Sequence, residues 1–163
     1  MTIFDGAASL CIYSDTHLAS AVSDVLGLSP DSVGEVGDPT APVRFDDEGV
    51  AQRQYFYKQS TWILNVSADD ARPSAADDDT AGFQSILVLA ERLAGKEMAL
   101  ASLRPHYETV IRWYGDSASS QGGFVMPIEL IERLAKLGCN LFGNLYSYVE
   151  DDADDQGQLE TAD

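Results

Sequence analysis

Basic side chains are scarce in this sequence. Its 163 residues include 10 lysines and arginines against 27 aspartates and glutamates, which gives a formal net charge of −17 at pH 7. A charge of this sign repels the phosphate backbone of nucleic acids and the surface of anionic membranes, so neither is an expected partner. The surface of a basic protein is the partner that such a charge attracts.

Cysteine and histidine are rarer still, with two residues of each. Cys11 and Cys139 lie far apart, without the neighbouring cysteines or histidines of a metal site, so we interpret both as structural thiols. Nothing in the sequence places His17 and His106 together, and isolated histidines are more often structural or exposed than catalytic. The glycines do not form a phosphate-binding loop. We therefore predict no catalytic residue, no metal site and no cofactor.

Long apolar runs are also missing. The first ten residues lack the basic and apolar regions of a secretory signal, and no stretch is long enough to cross a bilayer. The expected compartment is the cytoplasm, and the sequence does not indicate an oligomeric state.

Two acidic stretches lack the large apolar side chains that a core requires. Residues 69–79, DDARPSAADDD, are predicted to be a solvated linker, and residues 150–163, EDDADDQGQLETAD, a disordered acidic tail. The tail has calcium-loop spacing from Asp152 to Asp163, but Gln156 replaces the usual acidic ligand, so low-complexity acidity is the better interpretation. We predict one domain over residues 1–149, followed by the tail.

Apolar periodicity predicts alternating strands and helices. The first helix should be capped by Ser14, Asp15 or Thr16 and end at Gly27, and the last should begin after Pro127 and end at Gly138. Apolar stripes also predict helices on either side of Gly95. The predicted strands are Ala7–Tyr13, Tyr55–Tyr57, Trp62–Val66, Tyr107–Tyr114 and Leu141–Val149.

The segment between the first helix and the second predicted strand is rich in glycine and proline. Residues 28–42, LSPDSVGEVGDPTAP, are predicted to be an ordered loop with at most a short extended piece around Glu35 and Val36. The whole pattern predicts an α+β fold, a mostly antiparallel sheet with helices packed on one face. A duplicated ferredoxin-like arrangement is an open alternative for the same order of elements.

Several segments together resemble the bacterial domain-of-unknown-function 4279 family. They are YSDTHLASAVSDVLGLSPD, GEVGDP, YKQSTWIL and the closing unit FVMPIELIERLAKLGCNLFGNLY. The resemblance spans about Ala8 to Tyr146 and does not include the acidic linker and tail. The family is uncharacterised, so the resemblance implies no activity and brings no catalytic residues.

One set of polar and aromatic residues is a candidate ligand site. Asp15, Asp38, Tyr57 and Trp62, with Tyr13 and Tyr55, fall at predicted strand ends and in the Gly37-Asp38-Pro39 loop, where they would line one groove. The alternative interpretation is that Asp38 bonds the local backbone in a turn while Trp62 fills the core.

Two functional hypotheses follow from the sequence. The first is a non-catalytic binding domain that meets a basic protein, for example an immunity-type inhibitor of a cationic toxin. Its rival is that the acidity serves only solubility, or tolerance of a salty cytoplasm. The second is a small-molecule sensor or small enzyme that uses the groove near Trp62 and the Gly37-Asp38-Pro39 loop.

Overall fold

The fold is a five-stranded sheet with four α-helices. It comes from a computed structural model that describes residues 3–41, 54–67, 81–117 and 125–147. In these segments the strands are β1 (Ile3–Ser14), β2 (Ser32–Gly34), β3 (Ser60–Val66), β4 (Glu108–Ser117) and β5 (Asn140–Ser147). The helices are α1 (Ser20–Leu26), α2 (Gln84–Arg92), α3 (Glu97–Leu103) and α4 (Ile128–Leu137), with a 3₁₀ turn at Ala81–Phe83 before α2.

The sheet is mixed but mostly antiparallel, with the strand order β2-β3-β1-β4-β5. Strand β1 lies at the centre, antiparallel to both β3 and β4, and β2 pairs antiparallel with β3. Strands β4 and β5 are parallel, because α4 carries the chain back between them. The predicted α+β, mostly antiparallel architecture is confirmed.

The core lies between one face of the sheet and the helices. Leu10 of β1 lies opposite Leu64 of β3 and Ile111 of β4, so three neighbouring strands present apolar side chains at the same level. Side chains alternate between the two faces of a strand, so Leu64 and Val66 of β3 are buried while Asn65 between them is exposed. Helical residues complete this core, and those that are fully buried include Val22, Leu26, Ile86, Leu89, Leu100 and Leu130.

Three glycines end or separate helices as predicted. Gly27 and Gly138 follow α1 and α4 in the left-handed conformation, with φ of 62° and 63°. Gly95, with φ of 78°, lies between α2 and α3. Glycine is favoured at these positions because a Cβ atom would be strained there.

The predicted start of the first helix is wrong. Helix α1 begins at Ser20, after Ala19, and no side chain at the N-cap position bonds its first turn. Ser14 instead stabilises the loop between β1 and α1, since its hydroxyl accepts hydrogen bonds from the backbone N–H groups of Thr16 and His17. The local cap signal therefore marks a turn between β1 and α1.

The segment around the Gly-Asp-Pro loop also differs from the prediction. The extended piece is Ser32–Gly34, which pairs with β3 as strand β2, and not Glu35 and Val36. Residues 55–57 form no sheet strand; Phe56 makes only an isolated bridge to Pro39. The reason is that this segment pairs with the loop, through the bonds from Gly37 N–H to the carbonyl of Tyr57 and from Tyr57 N–H to that of Asp38.

Three sequence predictions lie outside the described residues. They are the linker at residues 69–79, the tail at 150–163 and the calcium-like spacing from Asp152 to Asp163. Among the described helices, none has the length and apolar character needed to cross a membrane.

Candidate functional site

A pocket of about 430 Å³ opens at one end of the sheet. It lies where β1 ends and β4 begins, because these two antiparallel strands bring the β1–α1 loop against the turn between α3 and β4. Its wall is polar, and it is lined by Tyr13, Ser14, Asp15, Thr16, Gln59, Arg104, Pro105, His106, Tyr107 and Glu108.

Ser14 holds the two sides of this end pocket together. Its buried hydroxyl donates to the carbonyl of His106 at 2.9 Å and accepts from the N–H of His17 at 3.0 Å. Tyr107 adds a second link, from its hydroxyl to the carbonyl of Leu18 at 2.9 Å. Burial, and to a smaller extent the Glu35 carboxylate, raises the pKa of Tyr107, so its hydroxyl stays protonated as a donor.

His17 and His106 lie side by side at the rim. Their ring centroids are 4.6 Å apart with a tilt of 38°, and the ring of Tyr107 lies 5.6 Å from that of His17. The sequence did not place these imidazoles together, because only the pairing of β1 with β4 brings the two loops into contact. No signal in the sequence could have placed them together, since the order of strands in a sheet is not encoded in local periodicity. In the part of the chain that the structure describes, no three histidine, cysteine or acidic residues form a metal-holding group.

The end pocket carries charges of both signs. Asp15 and Glu108 provide carboxylates, and Arg104 provides a guanidinium whose Nη2 also donates to the carbonyl of Leu137 at 3.0 Å. That bond fixes the arginine to the end of α4. Such a wall has hydrogen-bonding groups for an anion and for a cation within one small volume.

The Gly-Asp-Pro loop forms a separate polar network. Asp38 Oδ2 accepts from the N–H of Glu35 at 2.9 Å, and the two oxygens of Glu35 accept from the N–H groups of Ala19 and Ser20, each at 3.0 Å. Partial burial opposes ionisation of Glu35, but these backbone donors, with serine hydroxyls, outweigh it and lower its pKa. Glu35 therefore caps α1 from a later part of the chain, and Asp38 bonds the backbone of Glu35.

The four predicted ligand-binding residues do not share one groove. Asp15 lines the end pocket, whereas Asp38 bonds the loop backbone. Trp62 is fully buried, with its indole N–H donating to the hydroxyl of Ser23 at 3.0 Å. The ring of Tyr57 lies against Gly34, where a Cβ atom would collide with it. A ligand-binding role for these four residues stays a prediction.

Both cysteines are free thiols. Cys11 is 3% exposed, on the sheet face opposite the helices, and burial raises its pKa although Tyr13 and Arg112 oppose the shift. Burial likewise raises the pKa of Cys139. The guanidinium of Arg112 lies 5.6 Å from the centroid of the Tyr13 ring, a cation–π distance.

Comparison with protein-family models, curated proteins and solved structures finds no match to this chain. The candidate site is therefore interpreted from its own residues.

Proposed function

We propose that this chain is a non-catalytic, cytoplasmic binding domain that meets a basic protein partner, in the manner of an immunity-type inhibitor of a cationic toxin. The observation that carries the proposal is the net charge of −17. A field of this size draws a basic partner toward the surface and speeds the encounter at low ionic strength.

The exposed carboxylates support this proposal. Asp15, Asp24, Glu129 and Glu132 are exposed, and none of them is hydrogen-bonded or ion-paired to another residue in the described segments. Other acidic residues are used within the fold: Glu35 caps α1, and Glu91 accepts from Arg133 at 3.3 Å. The four exposed carboxylates are therefore available to the cationic side chains of a partner.

The test is capture of partners from a lysate of the source cell at low and at high salt. The bait is the full chain, and the control is the same chain with D15N, D24N, E129Q and E132Q, which keep side-chain shape. We expect one or a few basic proteins on the native bait at low salt, a marked loss at high salt, and weaker capture by the neutralised bait. No partner at low salt, or equal capture by both baits, would refute the proposal.

A second function is favoured by the end pocket. We propose that it binds a small zwitterion, such as a free amino acid, with its carboxylate toward Arg104 and its ammonium group toward Asp15 and Glu108. This differs from the groove near Trp62 and the Gly37-Asp38-Pro39 loop, since Trp62 is fully buried.

Thermal-shift and calorimetric titration with the common amino acids tests this second function. Binding should raise the unfolding temperature, and D15N should weaken it about tenfold through loss of a charged hydrogen bond. Met98→Ala, at an exposed position on α3, is the control. If no amino acid stabilises the protein, the end pocket is not a zwitterion site.

Two finer descriptions are also proposals. Membership of the domain-of-unknown-function 4279 family is supported by the order of the segments that resemble it. A duplicated ferredoxin-like arrangement is supported by the β-α alternation in both halves of the chain.

A further inference from the structure

Strand β5 is an edge of the sheet with no charged side chain. Its residues 140–147, NLFGNLYS, pair with β4 on one side, and no described strand pairs with the other side. Natural sheets usually protect an edge of this length with charges, proline or a bulge. Here Leu141, Phe142, Leu145 and Tyr146 are exposed instead.

Helix α4 extends this apolar surface. Ile131 lies about 200° around the helix from Arg133, which bonds Glu91 of α2, so Ile131 points away from α2 and toward the β5 side. Ile128 lies within about 60° of Ile131 on the same flank. We call the six side chains the β5 edge surface: Ile128, Ile131, Leu141, Phe142, Leu145 and Tyr146, which are between 37% and 60% exposed.

The size of the β5 edge surface is typical of an interface. Six large side chains, each about half exposed, leave on the order of 500 to 600 Å² of apolar area on each chain. This area lies at the upper end of the largest apolar patches that monomeric proteins expose, and patches of that size are often functional. Two such patches in contact would bury roughly 1,100 Å², which is above the minimum of about 1,000 Å² for a specific interface.

We infer that the β5 edge surface binds a second copy of this chain, through antiparallel pairing of the two β5 strands. Elsewhere the chain is strongly acidic, but no carboxylate lies on β5 itself, so pairing of the two β5 strands places no negative side chains opposite each other. The contact is isologous and closes with two-fold symmetry, which gives a dimer with one continuous sheet.

The proposed register puts the exposed aromatic side chains of β5 opposite one another. Phe142 and Tyr146 lie on the face opposite the helices, because they pair with Arg112 and Asp116 of β4. A two-fold axis through Asn144 sets Phe142 of each copy opposite Tyr146 of the other. Aromatic pairs across antiparallel strands stabilise a sheet beyond the area they bury.

The salt dependence of the dimer should be opposite to that of a complex with a basic partner. Two chains of charge −17 repel each other at long range, and salt screens that repulsion, so the dimer should tighten as ionic strength rises. A complex with a basic protein should weaken under the same change. The dimer does not depend on the proposed binding function, and either can fail alone.

Sedimentation velocity on the full chain, over a range of concentrations at low and high salt, tests the inference. A dimer has twice the 17.6 kDa mass of the chain. Phe142→Lys and Tyr146→Glu should each weaken the dimer at least tenfold, because each takes out of water a charge that has no partner of opposite sign in the contact. A mixture of the two variants should dimerise again, since the introduced lysine of one copy faces the introduced glutamate of the other.

The matched control is Val33→Lys on β2, the opposite edge of the sheet. Val33 is 49% exposed and Phe142 is 50% exposed, so the two substitutions place a lysine at nearly equal exposure. Only Phe142→Lys should shift the sedimenting species from dimer to monomer. Circular dichroism checks the fold, and Phe142→Ser replaces Phe142→Lys if the lysine variant unfolds. A wild-type chain that stays monomeric at high concentration and high salt would overturn the inference, even if its β5 edge surface bound another protein. A dimer that persists in both variants would overturn it as well.

Discussion

Glu35 offers the sharpest test of how the loop stabilises the fold. Replacing it with glutamine keeps the shape but removes the negative charge that accepts the N–H groups of Ala19 and Ser20 at the start of α1. Because α1 has no side-chain cap at its own N-cap position, the free energy of unfolding should fall by about 1 kcal/mol at pH 7. The unfolding temperature should fall by roughly 2 to 4 °C.

The pH dependence gives this prediction its sign. The pKa of Glu35 in the folded chain lies below its ordinary value of 4.5, so its contribution is present above that pH and is lost as the pH falls through the folded pKa. Urea unfolding of wild type and Glu35→Gln should therefore differ at pH 7 and converge in acid. Glu132→Gln, at an exposed position on α4, is the control and should change little. Equal stability at pH 7, or a difference that persists unchanged in acid, would refute the reasoning.

Three further substitutions or reactions test the packing. Gly138→Ala should lower the free energy of unfolding by about 1 to 3 kcal/mol in a urea titration, because φ is 63° and the new Cβ meets the guanidinium of Arg104. Gly37→Ala is the comparison: φ is 88° but the space around the new Cβ is open, so the free energy of unfolding should fall by less. Gly34→Ala should cost roughly 1 to 3 kcal/mol, because the ring of Tyr57 must move, and an unchanged unfolding midpoint would contradict this. Cys11, which is buried with a raised pKa, should resist a disulfide reagent at pH 8 until the chain is unfolded, and rapid labelling of the folded chain would show that it is accessible.

The sequence predicts those parts of the fold that depend on local patterns. The strands β3 and β4, the helices on either side of Gly95 and the glycines that follow α1 and α4 are confirmed, because each follows from the geometry of a single element. The apolar stripes of the helices are only partly buried, since Met98 of α3 and Ile128 and Ile131 of α4 are exposed. Strand β2 was missed because Ser32–Gly34 is short and becomes a strand only through its pairing with β3.

The candidate site was harder to predict for a related reason. His17 and His106 come together only because β1 and β4 are neighbours, and strand order cannot be read from periodicity. The cap of α1 was assigned to nearby residues, whereas Glu35 supplies it from beyond β2. Trp62 begins a predicted strand and was therefore placed in a groove at the strand end, but its indole lies in the core and bonds Ser23.

The position of β1 shapes how the chain is assembled. The first of the described strands becomes the middle of the sheet, and its neighbours come much later in the chain: Ser9 bonds Asn65 across 56 residues, and Ser14 bonds His106 across 92. A chain still emerging from the ribosome therefore carries an apolar strand with both edges bare until β3 has been made, and with one edge bare until β4 has been made. Closing such long loops is slow, so folding should be slower than for helical proteins of this size, and a chain interrupted before β4 should aggregate.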